Sequence, residues 1–180
     1  MNRFFVFSDL HGDMGMLRMA IARAEKEQAD TILFAGDLGL QHSAMISQFI
    51  KLSSIPFLLV SGNCDSPWEF SDMQMVIPPQ YRTIPFGSRT IFLSHGHRFG
   101  YWKEAPIDLL ERDIFITGHT HIPRLNHAEG SPWEVNPGSA SRPRSGSEPS
   151  YAIITDEEIR IKEIMTGLTI PRLVCSLKAL

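Results

Sequence analysis

Short, dense apolar runs alternate with stretches of helical period along this chain, and segments rich in glycine, aspartate and histidine follow the runs. Phe4 to Phe7 and Thr31 to Ala35 read as buried strands. Between them, Asp13 is placed to cap a helix running to about Gln28. Leu17, Ala20, Ile21 and Ala24 form its inward stripe at i, i+3, i+4 and i+7. A second helix, about Ser43 to Leu52, turns Met45, Ile46, Phe49 and Ile50 inward, and Ile55 to Val60 is the next strand. This alternation predicts an α/β protein with parallel neighbours.

The middle of the chain changes character. Pro67 to Pro79, with Trp68, Phe70, Met73 and Met75, predicts a short helix or an irregular excursion. Arg82–Phe86 and Arg89–Ser94 flank Phe86-Gly87-Ser88, the signature of a hairpin turn. A short helix at about Pro106 to Glu111 is expected before the strand Asp113–Thr117. The remainder reads as β: Glu134–Asn136, Tyr151–Thr155 and Glu158–Ile164. Ala140 to Ser150 offers arginine, proline, glycine and serine without an apolar anchor, so a mobile loop is expected there. Beyond Thr166 no period dominates, although Leu168, Ile170, Leu173, Val174 and Leu177 are apolar enough to dock.

With 180 residues the chain fits a single domain, with its core at about residues 3–164, long enough to bury a sizeable interior without disulfides. A hydrophobic content of 43% and a charged content of 21% are ordinary for a globular protein. The net charge of −3 argues against bulk nucleic-acid binding, which needs a basic face. Cys64 and Cys175 stand far apart, and Met1-Asn2-Arg3 leads into a strand without a secretory h-region. No apolar run approaches a membrane span. A cytoplasmic location is the expectation, with no structural disulfide.

The chemistry lies in the segments that follow the strands: Ser8-Asp9-Leu10-His11-Gly12-Asp13, Gly36-Asp37, Gly62-Asn63-Cys64-Asp65, Ser94-His95-Gly96-His97 and Gly118-His119-Thr120-His121. Carboxylates, imidazoles and an amide at the ends of successive strands are costly to leave unpaired at the edge of a core. Asp9, His11, Asp37, Asn63, His95, His119 and His121 are the candidate ligands. Seven are too many for one ion and suit two ions sharing a bridge. Their nitrogen and oxygen donors, with no thiolate, fit Mn²⁺ foremost, with Fe²⁺, Ni²⁺ and Zn²⁺ as alternatives. Two such ions, ~3.5–4 Å apart, make hydroxide available at neutral pH and neutralise phosphoryl charge.

The five segments, in this order, resemble the calcineurin-like metallophosphoesterase superfamily, whose pattern runs Asp-x-His, Gly-Asp, Gly-Asn-x-Asp/Glu, His and Gly-His-x-His. Gly-Asn-Cys-Asp, the His95-Gly96-His97 pair and Asn136-Pro137-Gly138-Ser139 are similar to its small bacterial YfcE-like phosphodiesterase branch. The resemblance covers about residues 3 to 164. It implies a four-layer α-β-β-α sandwich with two mixed β-sheets flanked by helices, where periodicity alone would equally allow an open sheet. It also implies that Asp9, His11 and His121 hold one metal, that Asn63, His95 and His119 hold the other, and that Asp37 bridges. Gly118 is expected to open the loop that lets His119 and His121 reach both.

The expected activity is hydrolysis of small or nucleotide-type phosphodiesters by a metal-bridging hydroxide, with no protein nucleophile. A phosphomonoesterase or nucleotide phosphatase on the same metals is the alternative enzyme. A protein-binding scaffold that has lost ligands is the non-catalytic alternative, and a nuclease is a weaker one. The expected partner is a small-molecule phosphoester, and a homo-oligomer stays open. Where many branches of the superfamily carry histidine after Gly-Asn, this chain has Cys64, read as a space-filling thiol. His97 is the candidate replacement proton donor, with a surface role as its competing reading. Asp13 is a helix cap or an orienting carboxylate, and Asp65 orients a ligand or closes a turn. Asn136-Pro137-Gly138-Ser139 resembles a family segment that returns near the site, with a tight turn as the plainer reading and both compatible. Arg142 and Arg144 are candidate phosphate or ribose contacts, against the commoner solvated role. His42 and His127 are expected at the surface. Tyr101 and Trp102 are expected in aromatic packing, with base stacking as the competing reading.

Overall fold

The computed structural model describes residues 2–40 and 44–177, so His42 and Ser43 lie outside the described residues. Strand β1 (Phe4–Phe7) is apolar throughout because both of its faces are covered. Its side chains alternate: Phe5 and Phe7 join Leu17, Ala20 and Ala24 of helix α1 (Met14–Lys26), whereas Phe4 and Val6 point into a second cluster. β2 (Thr31–Phe34) repeats the division, with Ile32 and Phe34 toward the helices and Leu33 on the other side. Helix α2 (Ala44–Leu52) adds Ile46, with Phe49 and Ile50 partly buried, to the helix-side cluster.

β1, β2 and β3 (Phe57–Leu59) pair in parallel, as the alternating pattern predicts. On the other side of β1 come β9 (Ser150–Ile154), β10 (Glu158–Glu163) and β11 (Thr169–Ser176), all antiparallel, giving a six-stranded mixed sheet in the order β11-β10-β9-β1-β2-β3. After helix α3 (Pro67–Asp72), β4 (Tyr81–Phe86) and β5 (Arg89–Ser94) form the expected hairpin at Gly87. They continue through β6 (Ile114–Ile116), β8 (Trp133–Asn136) and β7 (Arg124–Asn126) as a five-stranded sheet in the order β4-β5-β6-β8-β7. Val6, Leu33, Ile91, Leu93, Ile114, Ile116 and Ala152 fill the space between the sheets. This is the two-sheet sandwich that the family resemblance implies.

The outer layer of the second sheet departs from expectation. Phe92, Phe115 and Leu109 on that face are covered by Phe99, Trp102 and Ile107 from an irregular segment with one 3-10 turn at Trp102–Glu104. The helix expected at Pro106–Glu111 does not form. The Asp113 carboxylate accepts from the amides of Leu110 and Thr90, both at 2.8 Å, so side-chain bonds replace helical ones in a stretch too short to nucleate. Trp102 thus packs against the sheet, as its aromatic-packing reading expects, while Tyr101 is exposed.

Other differences have local causes. Met45, expected inward, is 50% exposed, and Ile21 is only partly buried. β7 escapes the sequence pattern because Arg-Leu-Asn offers a single apolar residue on an edge strand. β11 escapes it because Arg172, at φ 66°, lies where the pairing with β10 shifts register. The three extra residues of β11 at this shift let Ile170, Leu173 and Cys175 all pack inward, at spacings of three and then two, whereas Leu168 and Val174 stay exposed. His127, expected at the surface, is partly buried and stacks on Trp133 with ring centroids 4.0 Å apart.

Candidate metal centre

All of the segments singled out by sequence lie at the carboxyl ends of parallel strands, where ligands collect in open α/β sheets. Asp9 and His11 follow β1, Asp37 follows β2, Asn63 follows β3, His95 follows β5, and His119 and His121 follow β6. The loops after β1 and β2 extend the parallel ladder: Asp9 N donates to Gly36 O, His11 N to Asp37 O and Gly12 N to Leu38 O, each at 3.0 Å. On the opposite sheet, Gly118 N donates to His95 O at 2.9 Å.

Asp9, His11, Asp37, His119 and His121 all have positive φ, between 47° and 67°. Non-glycine residues rarely hold this conformation, which costs roughly 1 kcal/mol or more each, and they cluster at functional sites. The left-handed turns bend the side chains off the strand ends toward the gap between the sheets. Gly118 is required there for contact: a Cβ at this position would collide with the Ser8 hydroxyl and the Asp9 carboxylate. Gly62 is similarly constrained, since its Cβ would enter the Asp37 carboxylate.

The side chains converge. Nε2 of His121 lies 3.2 Å from Asp9 Oδ1, and Nε2 of His11 lies 4.0 Å from the same oxygen and 3.8 Å from Asp37 Oδ2. Nε2 of His95 is 3.5 Å from Asp37 Oδ2 and 3.0 Å from Asn63 Oδ1. Two ligand sets, Asp9/His11/His121 and Asp9/Asp37/His95, have donor atoms mutually within 4.8 Å. His119 stands at the rim: it is exposed, its ring centroid is 5.1 Å from that of His95, and its amide donates to Asp9 Oδ2 at 3.1 Å. All seven sequence candidates therefore meet at one place, with Asn63 and His119 outside the two tight sets.

The orientation of the imidazoles decides what they suit. His95 Nδ1 donates to Ala35 O and His121 Nδ1 to Arg142 O, both at 2.7 Å. A carbonyl only accepts, so each ring carries its proton on Nδ1 and, when neutral, turns an Nε2 lone pair toward carboxylate oxygens. The buried Asp9 Oδ1 has no hydrogen-bond partner. Lone pairs facing lone pairs require a cation among them, and the carbonyl–imidazole contacts are the usual outer support of a metal ligand. Protonation partly answers the demand: contact with the Asp9 carboxylate holds His121 above its ordinary pKa. His95 is also raised, its burial being outweighed by Asp37. Burial lowers His11 and His119. Asp37 is pushed upward by burial, but His95 and the Cys64 amide outweigh this and hold its carboxyl well below the usual range.

Several supporting residues were only partly visible in sequence. Asp65 is buried, and its carboxylate accepts from the amides of Asp37, Leu38 and Gly62 at 2.8 Å and of Gly39 at 3.3 Å, locking the Asp37 turn to the Asn63 turn. Asn136 donates to Gly118 O at 2.7 Å and to Thr120 Oγ1 at 3.1 Å, so the expected tight turn also braces the two-histidine loop. The hydroxyls of Ser139 and Ser141 both donate to the carbonyl of Asp9, at 2.9 and 3.1 Å, and Ala140 is buried with its amide on Ser8 O. The start of the segment expected to be a mobile loop is thereby anchored by polar contacts, which an apolar-pattern search does not see. Asp13 caps α1, accepting from Met16 N at 3.0 Å, and is exposed rather than set behind a ligand.

Cys64 is exposed at the rim and does not fill space in a core. Its sulfur lies with a His11 nitrogen and an Asp37 oxygen inside 4.8 Å, and partial burial and then Asp37 push the thiol up to about 11. The centre opens into a cleft of about 750 Å³, lined on its far side by Arg142, Pro143 and Arg144. His97 lies beside it, its ring centroid 5.4 Å from that of His95. Among the described residues, no helix is long and apolar enough to cross a membrane.

The sequence profile of the calcineurin-like phosphoesterase superfamily domain matches residues 3–158. The chain is 25% identical over 172 residues to phosphodiesterase YfcE of Escherichia coli (strain K12), covering 89% of this chain and 91% of that protein. It is 31% identical over 160 residues to the probable metallophosphoesterase YsnB of Bacillus subtilis (strain 168), covering 84% and 83%. The solved structure of YfcE, described as an E. coli phosphoesterase, superposes with a TM-score of 0.84 at 22% identity, covering 97% of this chain and 99% of that one. Vacuolar Protein Sorting 29 from Cryptosporidium parvum shares the fold at a TM-score of 0.66 and 22% identity, covering 97% and 96%. With the profile spanning most of the sequence and its motif residues gathered at the strand ends of both sheets, the chain belongs to the calcineurin-like phosphoesterase superfamily.

Proposed function

We propose that this chain acts as a single domain, a divalent-metal-dependent phosphodiesterase that hydrolyses small or nucleotide-type phosphodiesters. The observation that carries the reading is Asp9 Oδ1, a buried carboxylate oxygen without a hydrogen bond, at which His11 and His121 converge through Nε2. Asp9, His11 and His121 would hold one ion, Asn63, His95 and His119 the other, and Asp37 would serve both. Mn²⁺ is the first choice for these nitrogen and oxygen donors, with Fe²⁺, Ni²⁺ and Zn²⁺ as alternatives. When bound, the ions supply Lewis acidity, lowering the pKa of water and neutralising phosphoryl charge.

The chain's own residues do the rest. Ala35 and Arg142, through their carbonyls, fix the proton of His95 and of His121 on Nδ1 and aim Nε2 inward. Asp65 holds Asp37 in its left-handed turn through the Asp37 amide. Arg142 and Arg144 line the open cleft, where guanidinium groups match phosphoryl or ribose oxygens. Among the described residues, His97 is the nearest imidazole outside the ligand set and is the candidate donor for a departing oxygen, since Cys64 is a poor one.

A scaffold role like that of a fold relative without catalysis would relax the demand for a complete ligand set, and here every ligand position is filled. A phosphomonoesterase would use the same centre and differ only in substrate. The test is to strip the protein with a chelator, measure bound metal by elemental analysis on readdition, and assay bis(p-nitrophenyl) phosphate. Two ions per chain and activity restored best by Mn²⁺ are expected. Undiminished turnover in metal-free protein would refute the reading.

A further inference from the structure

The metal centre has a second, chemically different neighbour. Beside Asn63 lies a cleft of about 460 Å³ whose lining does not include Arg142 or Arg144. Asn63 lines both clefts, so they adjoin at a candidate ligand. The walls of the second are apolar, formed by Phe70, Ile77, Pro78 and Pro79, and His97 and Arg98 also line it. Ile77 is 50% exposed and presents aliphatic surface to this cleft. Arg98 is exposed and makes no ion pair among the described residues, and a free guanidinium is suited to stacking on an aromatic face. The volume is within the range of small-molecule sites, and apolar walls with a few polar groups are their usual make-up.

We infer that this cleft receives a planar apolar arm of the substrate, an aryl group or a nucleobase, while the phosphoryl group sits at the metal centre and the polar arm lies toward Arg142 and Arg144. The inference rests on the phosphodiesterase reading and deepens it: the substrate class is diesters with one flat, apolar arm and one polar or anionic arm. A proline–isoleucine wall excludes water from a ring without fixing its substituents, so ring-bearing esters as a class are selected rather than one metabolite.

Phosphonates test this without turnover, because their single carbon arm has one place to go. Titration calorimetry of the metal-loaded protein with benzylphosphonate and methylphosphonate is expected to give at least tenfold tighter binding of the benzyl compound. Ile77→Ser and Arg98→Gln should each shrink that ratio at least threefold and leave methylphosphonate affinity unchanged. A ratio near one in the unaltered protein, or one that survives both substitutions, would overturn the assignment of the ring to this cleft. Methylphosphonate that fails to bind at all would remove the phosphoryl site itself, and both proposals with it.

Discussion

His95 and Ala35 face each other across the gap between the two sheets, with Nδ1 of the imidazole 2.7 Å from the carbonyl oxygen. The bond ties the loop after β5 to the end of β2, and so fixes the spacing between the two halves of the ligand set. It also dictates the tautomer of His95 and turns Nε2 toward Asn63 and Asp37. Asp37→Asn removes the shared negative charge and is expected to lower the rate at least ~10²-fold, a loss of several kcal/mol in transition-state stabilisation. His95→Ala should lose as much activity, and it removes one of the two donors to the Ala35 carbonyl, which keeps the Ser8 hydroxyl. Circular dichroism should stay native-like for both. Near-normal turnover in the asparagine variant would speak against Asp37 as the bridge.

Asn136 gives a second prediction, because it is 3% exposed and bonds three groups of two separate turns. Replacing it with alanine leaves Gly138 N unpaired inside the protein and removes one of the two donors to Gly118 O, which keeps the Thr120 amide. The expected loss is about 1–3 kcal/mol of stability, a thermal midpoint lower by roughly 3–10 °C. Metal affinity should fall as well, since the loop carrying His119 and His121 loses its brace. An unchanged midpoint and unchanged metal affinity would show that the turn supports itself.

The legibility of the chain in sequence follows the physics of each part. β1 and β2 were readable because burial on both faces demands unbroken apolar runs, and α1 because one buried stripe imposes a period of 3.6. The ligands were readable because polar groups at the ends of core strands are anomalous. Ala35 and Arg142 as orienters were not, since they act through carbonyls that every residue possesses. Ser139 and Ser141 act through hydroxyls, which are common in any loop. The apolar cleft beside Asn63 was equally hidden: Phe70 and Ile77 come from the Pro67–Pro79 stretch and His97 from the loop after β5, and they meet only in the fold.

Away from the centre, Glu27 at the end of α1 accepts from the Tyr151 hydroxyl at 2.8 Å and pairs with Lys162, joining the helix to β9 and β10. Burial pushes the Glu27 carboxyl upward, but the Lys162 and Tyr151 hydrogen bonds outweigh it and hold it below the ordinary 4.5. A depressed carboxylate pKa stabilises the fold above the unfolded value, and that contribution disappears as pH falls through the folded value. Glu27→Gln should therefore cost about 1 kcal/mol at pH 7 and much less at pH 3. Urea denaturation of both proteins at the two pH values checks this, and an equal gap at both would remove the ionic component.

Cys64 stands at the rim beside Asp37 and His11, where an imidazole would reach a departing oxygen. A phenolate leaves without protonation, whereas an alkoxide needs a donor within hydrogen-bond reach. The thiol, pushed up to about 11, is a poor donor, so activated aryl diesters should turn over much faster than alkyl monoesters. Cys64→His should narrow the gap by helping poor leaving groups more than good ones. The measurement is a rate series against leaving-group pKa for both proteins at fixed Mn²⁺. The variant is expected to show the shallower slope. Coincident slopes would move the proton to another source, and His97 is then the residue to replace. His97→Gln would steepen the slope in the unaltered background if that imidazole is the donor, and leave it unchanged if the proton comes from solvent.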